Sequence, residues 1–400
     1  MNLLFEQYFD QALDNLKAEN RFREFVNISR ICGEFPYAIN HNNGRKIVIW
    51  CSNDYLGMGQ NSLAISNAKK ALEQYGVGAG GTRNISGNNA LIEELENLIA
   101  SHHQKEAGLV FGSGYSANDG TIQALAKIIP NLTVFSDKKN HASIISGIRN
   151  SNLSKHIFAH NDLQNLTDLL SNYSLNQPKI IIFESVYSMD GDFGKLQEIV
   201  EIAKKFNALT YIDEVHAVGL YGKTGAGLSE KLDLQSQIDI IQGTFAKGYG
   251  AIGGYITAKE NIIKAIRSFA SPFIFSTSMP PAILSAIISN VKYLQNSNLE
   301  REKLFKNVFK VKKALQQNNI KIFPNDSHII SVMVGDPILA KNISQKLLND
   351  FNIYIQHINY PTVAKGDERL RITPSAMHND EMIENLISAL TQIFKEVVQN

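Results

Sequence analysis

The chain has 400 residues, 44% of them hydrophobic, which is enough for two domains or for one large domain with an appendage. Its 39 basic and 38 acidic residues give a net charge of +1, so charge offers no basis for binding nucleic acid or an anionic membrane. Its two cysteines exclude a disulfide framework, no zinc-ligand spacing is present, and no apolar run is long enough to cross a bilayer.

The first segment, from about residue 2 to 20, has apolar residues at helical spacing and predicts an amphipathic helix. It contains several acidic residues, whereas a transit peptide is rich in arginine and poor in acids, so we expect a bacterial cytoplasmic protein. Arg21 and Arg23 follow this helix. Cations are common at helix C-termini, so a structural role is one interpretation of Arg21.

A glycine-rich stretch, GVGAGGTRNISGNN, begins at Gly76. Gly76, Gly78 and Gly81 have the G-x-G-x-x-G spacing of a dinucleotide-binding loop, which needs a strand before it and a helix after it. Here a predicted helix, 62–75, comes first, after a short predicted strand over 46–50. We therefore reject a nicotinamide site.

Strands and helices alternate from about residue 91 to 257, which predicts an α/β fold with a mostly parallel, doubly wound sheet. Ligands of such sheets lie beyond the carboxyl ends of the strands, and polar or glycine residues follow several of the apolar runs here. The predicted strands are Ala107–Phe111, Leu132–Phe135, His156–Ala159, Lys179–Phe183, Leu209–Ile212, Ile238–Gln242 and Gly254–Thr257.

Two polar motifs follow the first two of these strands, one after each. FGSGYSAND, from Phe111 to Asp119, predicts a strand, a small-residue turn and a helix start, whose free N–H groups can bind phosphate. An ordinary glycine-rich turn is the alternative. NHAS places His141 where it could stack on a planar ring, although a lone histidine is more often structural.

TYIDEVHAVGLYG places Asp213 at the end of a predicted strand and His216 three residues later. A carboxylate at such a place can pair with the protonated pyridine nitrogen of pyridoxal phosphate (PLP), which makes the ring an electron sink. A histidine nearby can hydrogen-bond the phenolic oxygen of the ring. A structural Asp–His turn is the alternative.

DIIQGTFAKGYGAIGG, from Asp239 to Gly254, sets Lys247 among glycines after a short apolar run. A partly desolvated lysine has a lowered pKa and a nucleophilic amine, as a Schiff-base lysine needs. Thr244, three residues earlier, could hold a phosphate oxygen. By itself the stretch fits a surface lysine in a turn equally well, but Asp213 and His216 favour the Schiff-base interpretation.

The last part of the chain predicts an irregular aromatic segment over 269–281, one long helix from about Ala282 to Gln316, and a small α/β domain with an antiparallel sheet. We expect three parts: an N-terminal segment over 1–50, a large domain over 51–294 and a small domain over 295–400. The predicted elements of the small domain are the strands Ile329–Val334, Ile353–Gln356 and Arg369–Thr373 and the helices Leu339–Asn349 and Asp380–Val397.

Arg371 ends the predicted strand RLRITPS, where a guanidinium could hold a substrate carboxylate with two hydrogen bonds. A surface ion pair with Asp367 or Glu368 is the alternative, and it fits Arg369 better. Both arginines lie on one face of the strand, so the pattern leaves the choice open.

Together these motifs resemble the α-oxoamine synthases, a family of fold-type-I PLP enzymes, over about Phe5 to Ile393. Those that carry the resemblance are WCSNDYLGMG, GAGGTRNISG, SDKKNHASIISGIR, FESVYSMDGD, YIDEVHAVGLYG, GTFAKGYG, FIFSTSMPP and HINYPTV. CSNDYLGM, TRNISG and INYPTV are most similar to the branch that condenses glycine with succinyl-CoA, releasing CoA and CO2 in the first step of tetrapyrrole synthesis.

The resemblance implies roles for individual residues. Lys247, His141 and Asp213 would be catalytic: Lys247 would form the Schiff base and move the proton, Asp213 would pair with the pyridine nitrogen and His141 would stack on the ring. The other implied cofactor contacts are Ser113, Gly114, Tyr115 and Thr244 at the phosphate, Ser188 and His216 at the phenolic oxygen, and Ser276 and Thr277 reaching the phosphate site of a second subunit. The implied substrate contacts are Arg371 and Asn53 on the glycine carboxylate, Thr82 beside its α-carbon, and Arg21, Ser136, Lys155 and Thr362 on succinyl-CoA.

The resemblance also implies a homodimer with shared active sites and no bound metal. Neither Cys32 nor Cys51 precedes a proline, so the Cys-Pro haem-regulatory motif of eukaryotic members is absent from this sequence. The nearest alternatives are an 8-amino-7-oxononanoate synthase and a 2-amino-3-oxobutyrate CoA ligase, against which Arg21 and Thr82 argue. A catalytically inactive regulatory protein on the same fold is a third, against which the intact Lys247, Asp213 and His216 argue.

Overall fold

A computed structural model of the protein describes the backbone of residues 3–398 and the side chains of residues 5–396. Its strands are β1 (Ile28–Arg30), β2 (Tyr37–Asn40), β3 (Arg45–Ile49), β4 (Ala107–Phe111), β5 (Thr133–Asp137), β6 (Ser154–Phe158), β7 (Lys179–Glu184), β8 (Leu209–Asp213), β9 (Ile240–Thr244), β10 (Gly254–Ala258), β11 (Ile330–Met333), β12 (Ile353–Tyr354), β13 (His357–Ile358) and β14 (Arg369–Ile372). Its α-helices are α1 (Leu3–Ala18), α2 (Ser62–Tyr75), α3 (Ala90–His102), α4 (Gly114–Ile128), α5 (Ala142–Ser151), α6 (Leu163–Ser171), α7 (Leu196–Lys205), α8 (Leu228–Lys231), α9 (Glu260–Phe269), α10 (Ser271–Ile274), α11 (Pro281–Asn296), α12 (Leu299–Gln317), α13 (Pro337–Phe351) and α14 (Asp380–Val398).

The chain divides into two compact units. The larger unit comprises Asn53–Ser188 and Asp192–Glu302. The smaller unit comprises the described residues up to Ser52, the segment Met189–Gly191 and the described residues from Lys303 onward. The sequence-based division at residues 51 and 295 stays a prediction, and residues 1, 2, 399 and 400 of its outer parts lie outside the described residues.

The larger unit is built on a seven-stranded sheet in the order β4-β10-β9-β8-β7-β5-β6. β10 runs antiparallel to both of its neighbours, and the remaining pairs are parallel, which confirms the mostly parallel sheet. The central strands are buried along their whole length, as their uninterrupted apolar runs predict. The carboxyl ends of the parallel strands lie at one edge of the sheet, and the polar residues that follow these strands therefore lie at that edge too.

The smaller unit contains two small sheets. In one, β1, β2 and β3 are antiparallel and β12 joins β3 in parallel. In the other, the order β11-β14-β13 is antiparallel. An apolar core cluster that includes Trp50, Leu347, Ile372 and Leu386 lies within this unit.

Two features of the C-terminal half differ from the sequence-based expectation. The predicted helix from Ala282 to Gln316 is two helices, because Ser297 is extended (φ −127°, ψ 132°) and its hydroxyl accepts a hydrogen bond from Leu299 N. The predicted strand over 353–356 contributes only Ile353–Tyr354, and it pairs with β3 rather than with the C-terminal antiparallel sheet. The third strand of that sheet is His357–Ile358 instead.

No helix among the described residues is long and apolar enough to cross a membrane.

Candidate active site

The candidate site of the larger unit lies at the carboxyl edge of the parallel strands. β9, β8, β7 and β5 are consecutive in the sheet, and residues just beyond their ends include most of the predicted cofactor contacts. The register sets Glu184 beside Asp213, and Asp213 beside Gln242. The topology thus collects at one edge residues that are far apart along the chain.

Asp213 is 1% exposed and its carboxylate is held by two donors. Val215 N donates to Oδ1 at 2.9 Å, and Asn118 Nδ2 donates to Oδ2 at 2.7 Å. Asn118 is itself fixed, because its second amide hydrogen goes to Ser143 Oγ (2.9 Å) and its oxygen accepts from the phenol of Tyr211 (2.7 Å). The carboxylate is therefore oriented before any ligand binds.

His141 is connected to the same network. Its Nδ1 accepts from Ser143 N at 3.2 Å and lies 2.7 Å from Ser143 Oγ, which in turn accepts from Asn118. Burial lowers the pKa of His141; the charge of Asp213 opposes this shift and that of Lys247 adds to it. The imidazole is therefore neutral at physiological pH, as a ring that stacks on an aromatic group should be.

Glu184 is a buried acid at the same edge. Its Oε1 accepts from His141 N at 2.6 Å. Burial raises the pKa of Glu184 well above its usual range, and the charge of Asp213 adds to this rise, whereas the charge of Lys247 opposes it. The charges of Asp213 and Lys247 therefore act on both His141 and Glu184, which places the predicted Schiff-base lysine near these two residues.

The start of α4 forms the candidate phosphate cradle. Ser113 is its N-cap: Ser113 Oγ accepts from Ser116 N at 3.0 Å, and Ser113 N donates to Ser116 Oγ at 3.1 Å. The predicted contribution of Ser113 N is thus already used within the cap. The next amides, of Gly114 and Tyr115, lie at the helix start, where no preceding turn supplies carbonyl partners.

Glycines pack closely around that helix start. A Cβ on Gly254 would lie 2.5 Å from both Gly114 Cα and Ser113 O, and one on Gly114 would lie 3.4 Å from Thr244. Thr244 is therefore adjacent to the helix start, as predicted. Its hydroxyl donates to Gly253 O at 2.7 Å in this structure, so binding a phosphate oxygen would require that hydrogen to change partner.

Tyr55 connects two predicted residues, Asn53 and His216. Its phenol donates to Asn53 Oδ1 at 3.0 Å and lies 2.8 Å from His216 Nδ1. Tyr55 is fully buried and His216 is 4% exposed, so the contact between them is sheltered from water, whereas Asn53 is exposed.

The remaining predicted residues of the larger unit differ in accessibility. Ser136 is 1% exposed and its hydroxyl accepts from Asn140 Nδ2 at 2.8 Å, so it does not lie at the surface. Thr82 pairs with Thr277 through an isolated β-bridge. Ser188 is half-buried, whereas Lys155, Ser276 and Thr277 are exposed.

In the smaller unit, Arg21 and Thr362 line the same cavity, of about 1100 Å³. Arg21 Nη1 pairs with Glu19 at 2.7 Å, and its guanidinium lies 5.2 Å from the ring centre of Tyr360. Arg21 Nε is buried and has no hydrogen-bond partner within the described residues. A buried donor without a partner is a place where an anionic ligand gains a hydrogen bond.

Arg369 and Arg371 are both buried in β14. Arg369 pairs with Asp190 at 2.5 Å, and the two side chains are 3% and 7% exposed. The suggested surface ion pair of Arg369 with Asp367 or Glu368 is therefore wrong, because Asp190 of the same unit supplies its carboxylate. Arg371 is 7% exposed.

The residues of the larger unit fit the cofactor expected from the sequence. PLP needs a carboxylate for its ring nitrogen, a polar cradle for its phosphate and a lysine. Asp213 is buried and pre-oriented, and the charge of Lys247 acts on Glu184 at the same edge. The start of α4 is adjacent to Thr244 and packs against Gly254, which leaves no room for a Cβ.

Sequence reasoning gave no site role to several residues of this arrangement: Tyr55, Asn118, Ser143, Glu184 and Tyr211. Some signals were available, because Glu184 is among the polar residues that follow the apolar runs and Ser143 belongs to the NHAS motif. Asn118 lies inside the FGSGYSAND motif, four residues beyond the glycine that begins α4, and a residue one turn into a helix at a strand edge can face the edge. The roles of all five became visible only through their contacts.

Three comparisons describe what the chain is similar to. Residues 45–390 match the family model of class I and II aminotransferases. The chain is 52% identical over 390 residues to a 5-aminolevulinate synthase of Rickettsia bellii, covering 98% of this chain and 94% of that protein. It is 47% identical to a 5-aminolevulinate synthase of Bradyrhizobium diazoefficiens, covering 98% and 96%. Among solved structures, a serine palmitoyltransferase of S. paucimobilis with PLP and myriocin bound has a TM-score of 0.90 at 27% identity, covering 100% of both chains.

Proposed function

The chain belongs to the class I and II aminotransferase family and, within it, to the 5-aminolevulinate synthases, and on that premise we propose that it condenses glycine with succinyl-CoA to 5-aminolevulinate, CoA and CO2. It is a fold-type-I enzyme that uses PLP. The observation that carries the proposal is the buried Asp213 carboxylate, which Asn118 and Val215 orient at a strand edge within the influence of Lys247. The product would enter tetrapyrrole synthesis.

PLP, when bound, withdraws electrons from the glycine α-carbon, so that a proton and later CO2 can leave. Asp213 would keep the ring nitrogen protonated, and Asn118 holds that carboxylate in place. Lys247 would take the proton from the α-carbon and return one to the product. His141, neutral and held through Ser143, would stack on the ring.

Binding of the two substrates is assigned to separate groups. Arg371 and Asn53 hold the glycine carboxylate, and Thr82 limits the space beside the α-carbon. Arg21 and Thr362 hold the succinyl carboxylate, which is supported by their common cavity and by the unpartnered Nε of Arg21. Lys155, which is exposed, and Ser136 are further proposed contacts with succinyl-CoA, and a contact with Ser136 would require its buried hydroxyl to become accessible. Orienting the substrates in this way would supply much of the rate.

We further propose a homodimer with shared active sites, in which Ser276 and Thr277 reach the partner's phosphate. The surface around them supports this. Ser278 N donates to Gly81 O at 3.0 Å, which joins this segment to the glycine-rich stretch. Three apolar side chains of these two segments are largely exposed: Val77 (80%), Ile85 (83%) and Phe275 (79%). Large apolar side chains with this much exposure are what an interface between subunits would cover. The bacterial relatives favour the bacterial cytoplasm as the location.

The test is CoA-thiol release by the purified, PLP-loaded protein with glycine and acetyl-, succinyl- or pimeloyl-CoA. We expect release to favour succinyl-CoA strongly. If release favoured another thioester, the assigned family and cofactor would stand, but the proposed acyl substrate would be wrong. No release despite bound cofactor would contradict the proposal and favour the inactive regulatory protein.

The Arg21→Leu variant tests whether Arg21 selects the acyl group of the CoA substrate. We expect KM for succinyl-CoA to rise by about tenfold or more, as for the loss of a charge-assisted hydrogen bond, with KM for glycine unchanged. Arg267→Leu, an exposed arginine of α9, is the matched control. If both substitutions raised KM for succinyl-CoA equally, the proposed contact between Arg21 and the succinyl group would be wrong.

A further inference from the structure

His160 lies between two carboxylates of the larger unit. Its Nδ1 is 2.9 Å from Asp137 Oδ1, and its Nε2 is 2.6 Å from Asp192 Oδ2. The side chains of His160, Asp137 and Asp192 are 14%, 0% and 23% exposed. His160 follows β6, Asp137 ends β5 and Asp192 follows β7, so the three side chains tie together the turns that follow three strands.

Both ring nitrogens must donate, because ionised carboxylates only accept. Burial alone would lower the pKa of His160, but the hydrogen bonds and charges of Asp137 and Asp192 outweigh it and raise the pKa to about 9. The group is therefore an imidazolium at physiological pH. The ring of Tyr187, whose centre lies 4.4 Å away, packs against it edge-on.

Asn161 reinforces the same connection. Its backbone N–H donates to Asp137 Oδ2 at 3.0 Å, and its amide donates to Phe193 O at 3.0 Å. Asp192 and Phe193 belong to what we call the loop base, residues 185–188 and 192–194, which follows β7. The two parts of the loop base pair with each other: Tyr187 N donates to Asp192 O, and an isolated β-bridge joins Val186 to Phe193.

The elements joined in this way lead to two residues of the proposed cofactor site. Ser188 is in the loop base. His141 follows Asp137 by four residues, through a turn in which Lys139 N donates to Asp137 Oδ1 at 2.8 Å. Asn140 then donates to Ile182 O, and His141 N donates to Glu184 Oε1, so this turn is also fastened to β7.

We propose that His160 is a positioning residue: as an imidazolium held by Asp137 and Asp192, it fastens the loop base that carries Ser188 to the turn that carries His141, and so sets the separation of two sides of the cofactor site. This inference rests on the proposed function for the identity of the cofactor. It assigns His160 no contact with the cofactor or the substrates.

The test compares His160→Gln with His156→Gln. His156 is a matched control, because it lies on the neighbouring β6 and its Nε2 bonds the phenol of Tyr173, away from both carboxylates. For His160→Gln we expect PLP affinity to fall roughly tenfold, as for a lost charge-assisted hydrogen bond, with a changed absorbance spectrum of the bound cofactor. In the apoprotein, amides of residues 137–141 and of the loop base should exchange faster with deuterium. His156→Gln should change none of these.

Unaltered affinity and exchange in His160→Gln, or equal losses in both variants, would overturn the proposal. If His160→Gln does not fold, the double variant His160→Gln/Asp192→Asn relieves the repulsion between the two carboxylates and is measured in the same way. If the unaltered protein binds no PLP, the proposed function fails, while faster exchange in the apoprotein still supports the fastening.

The pH dependence of PLP affinity distinguishes a positioning role of His160 from a purely structural one. The titratable groups that face His160 are Asp137, Asp192 and Tyr187. Deprotonation removes one donor, so PLP affinity of the unaltered protein should fall as pH rises through about 9, while His160→Gln shows no corresponding step. The same alkaline step in both proteins would show that another group causes it.

Discussion

At the scale of single residues, two neighbouring carboxyl groups at the strand edge have different surroundings. Glu184 and Asp213 are register partners on adjacent strands. Burial and the charge of Asp213 raise the pKa of Glu184 well above its usual range, whereas Asp213 receives hydrogen bonds from Asn118 and Val215. Their surroundings thus differ: burial disfavours the charged form of Glu184, whereas Asp213 has two hydrogen-bond donors on its carboxylate, the group that a protonated ring nitrogen needs.

The Lys247→Ala variant tests the proton carrier at this scale. We expect it to bind PLP and glycine but to lose exchange of the glycine α-proton in deuterated water by about 10²-fold or more, because general-base transfer contributes at least that much. NMR of glycine recovered from deuterated buffer measures the exchange.

The control for this test is Lys259→Ala, an exposed lysine just before α9, which should keep normal exchange. Retained exchange in Lys247→Ala would contradict the assignment of Lys247 as the proton carrier.

At the scale of secondary-structure elements, the position of α4 is set by β10 as much as by its own cap. β10 lies between β4 and β9, and its first residue, Gly254, touches the backbone of Ser113 and Gly114. Only hydrogen occupies that side of Gly254, so the helix start can come within contact of the sheet. The phosphate cradle therefore depends on a strand that is distant from it in sequence.

Gly254→Ala tests that dependence. Its Cβ would lie 2.5 Å from backbone atoms that cannot rotate away, so the helix start must move. We expect weaker PLP binding, measured by fluorescence titration, and a loss of about 1–3 kcal/mol in unfolding free energy.

Gly112→Ala is the matched control, because a Cβ there meets nothing within 4 Å. If Gly112→Ala weakened PLP binding as much as Gly254→Ala, close approach at Gly254 would not be the reason.

At the scale of the whole molecule, neutral buried histidines make stability depend on pH. Burial lowers the pKa of His102 to about 4 and that of His378 to about 3. His102 accepts from Gln295 through Nδ1 (3.0 Å), and His378 is stacked on Trp50. An unfolded histidine binds its proton near pH 6.5, so between that pH and the folded pKa the unfolded state holds more protons. The stabilisation is therefore complete above pH 6.5 and is lost as pH falls towards 4.

His102→Gln isolates one part of this effect. Glutamine retains an acceptor but cannot be protonated, so between pH 7 and pH 4 the variant should lose about 3 kcal/mol less unfolding free energy than the unaltered protein. Urea unfolding at both pH values measures the difference. Parallel loss of stability in the two proteins would show that His102 does not contribute to acid sensitivity.

The pattern of the sequence was sufficient for most elements of the larger unit. Each of the seven predicted strands between residues 107 and 257 overlaps an observed strand, and α2 begins and ends where predicted. Most of these runs are apolar and buried on both faces, so burial and local pattern agree, whereas the edge strand β6 is largely exposed. The helix break at Ser297 and the partner of β12 were not predictable in this way, because one depends on a single serine cap and the other on a contact between distant segments.

For the site, the sequence by itself determined the chemical groups: a lysine, an aspartate and a histidine after strand ends, a helix start rich in small residues, and an arginine after the first helix. Motif spacing carries that information because each group lies in a local strand–turn or turn–helix segment. Only the tertiary structure decided what holds those groups in place. The contact of Asn118 with Asp213 joins residues 95 positions apart, and that of Tyr55 with His216 joins residues 161 positions apart. His160 contacts Asp137 and Asp192, which are 23 and 32 positions away. No local pattern encodes such contacts, since they exist only after the sheet has brought its strand ends together.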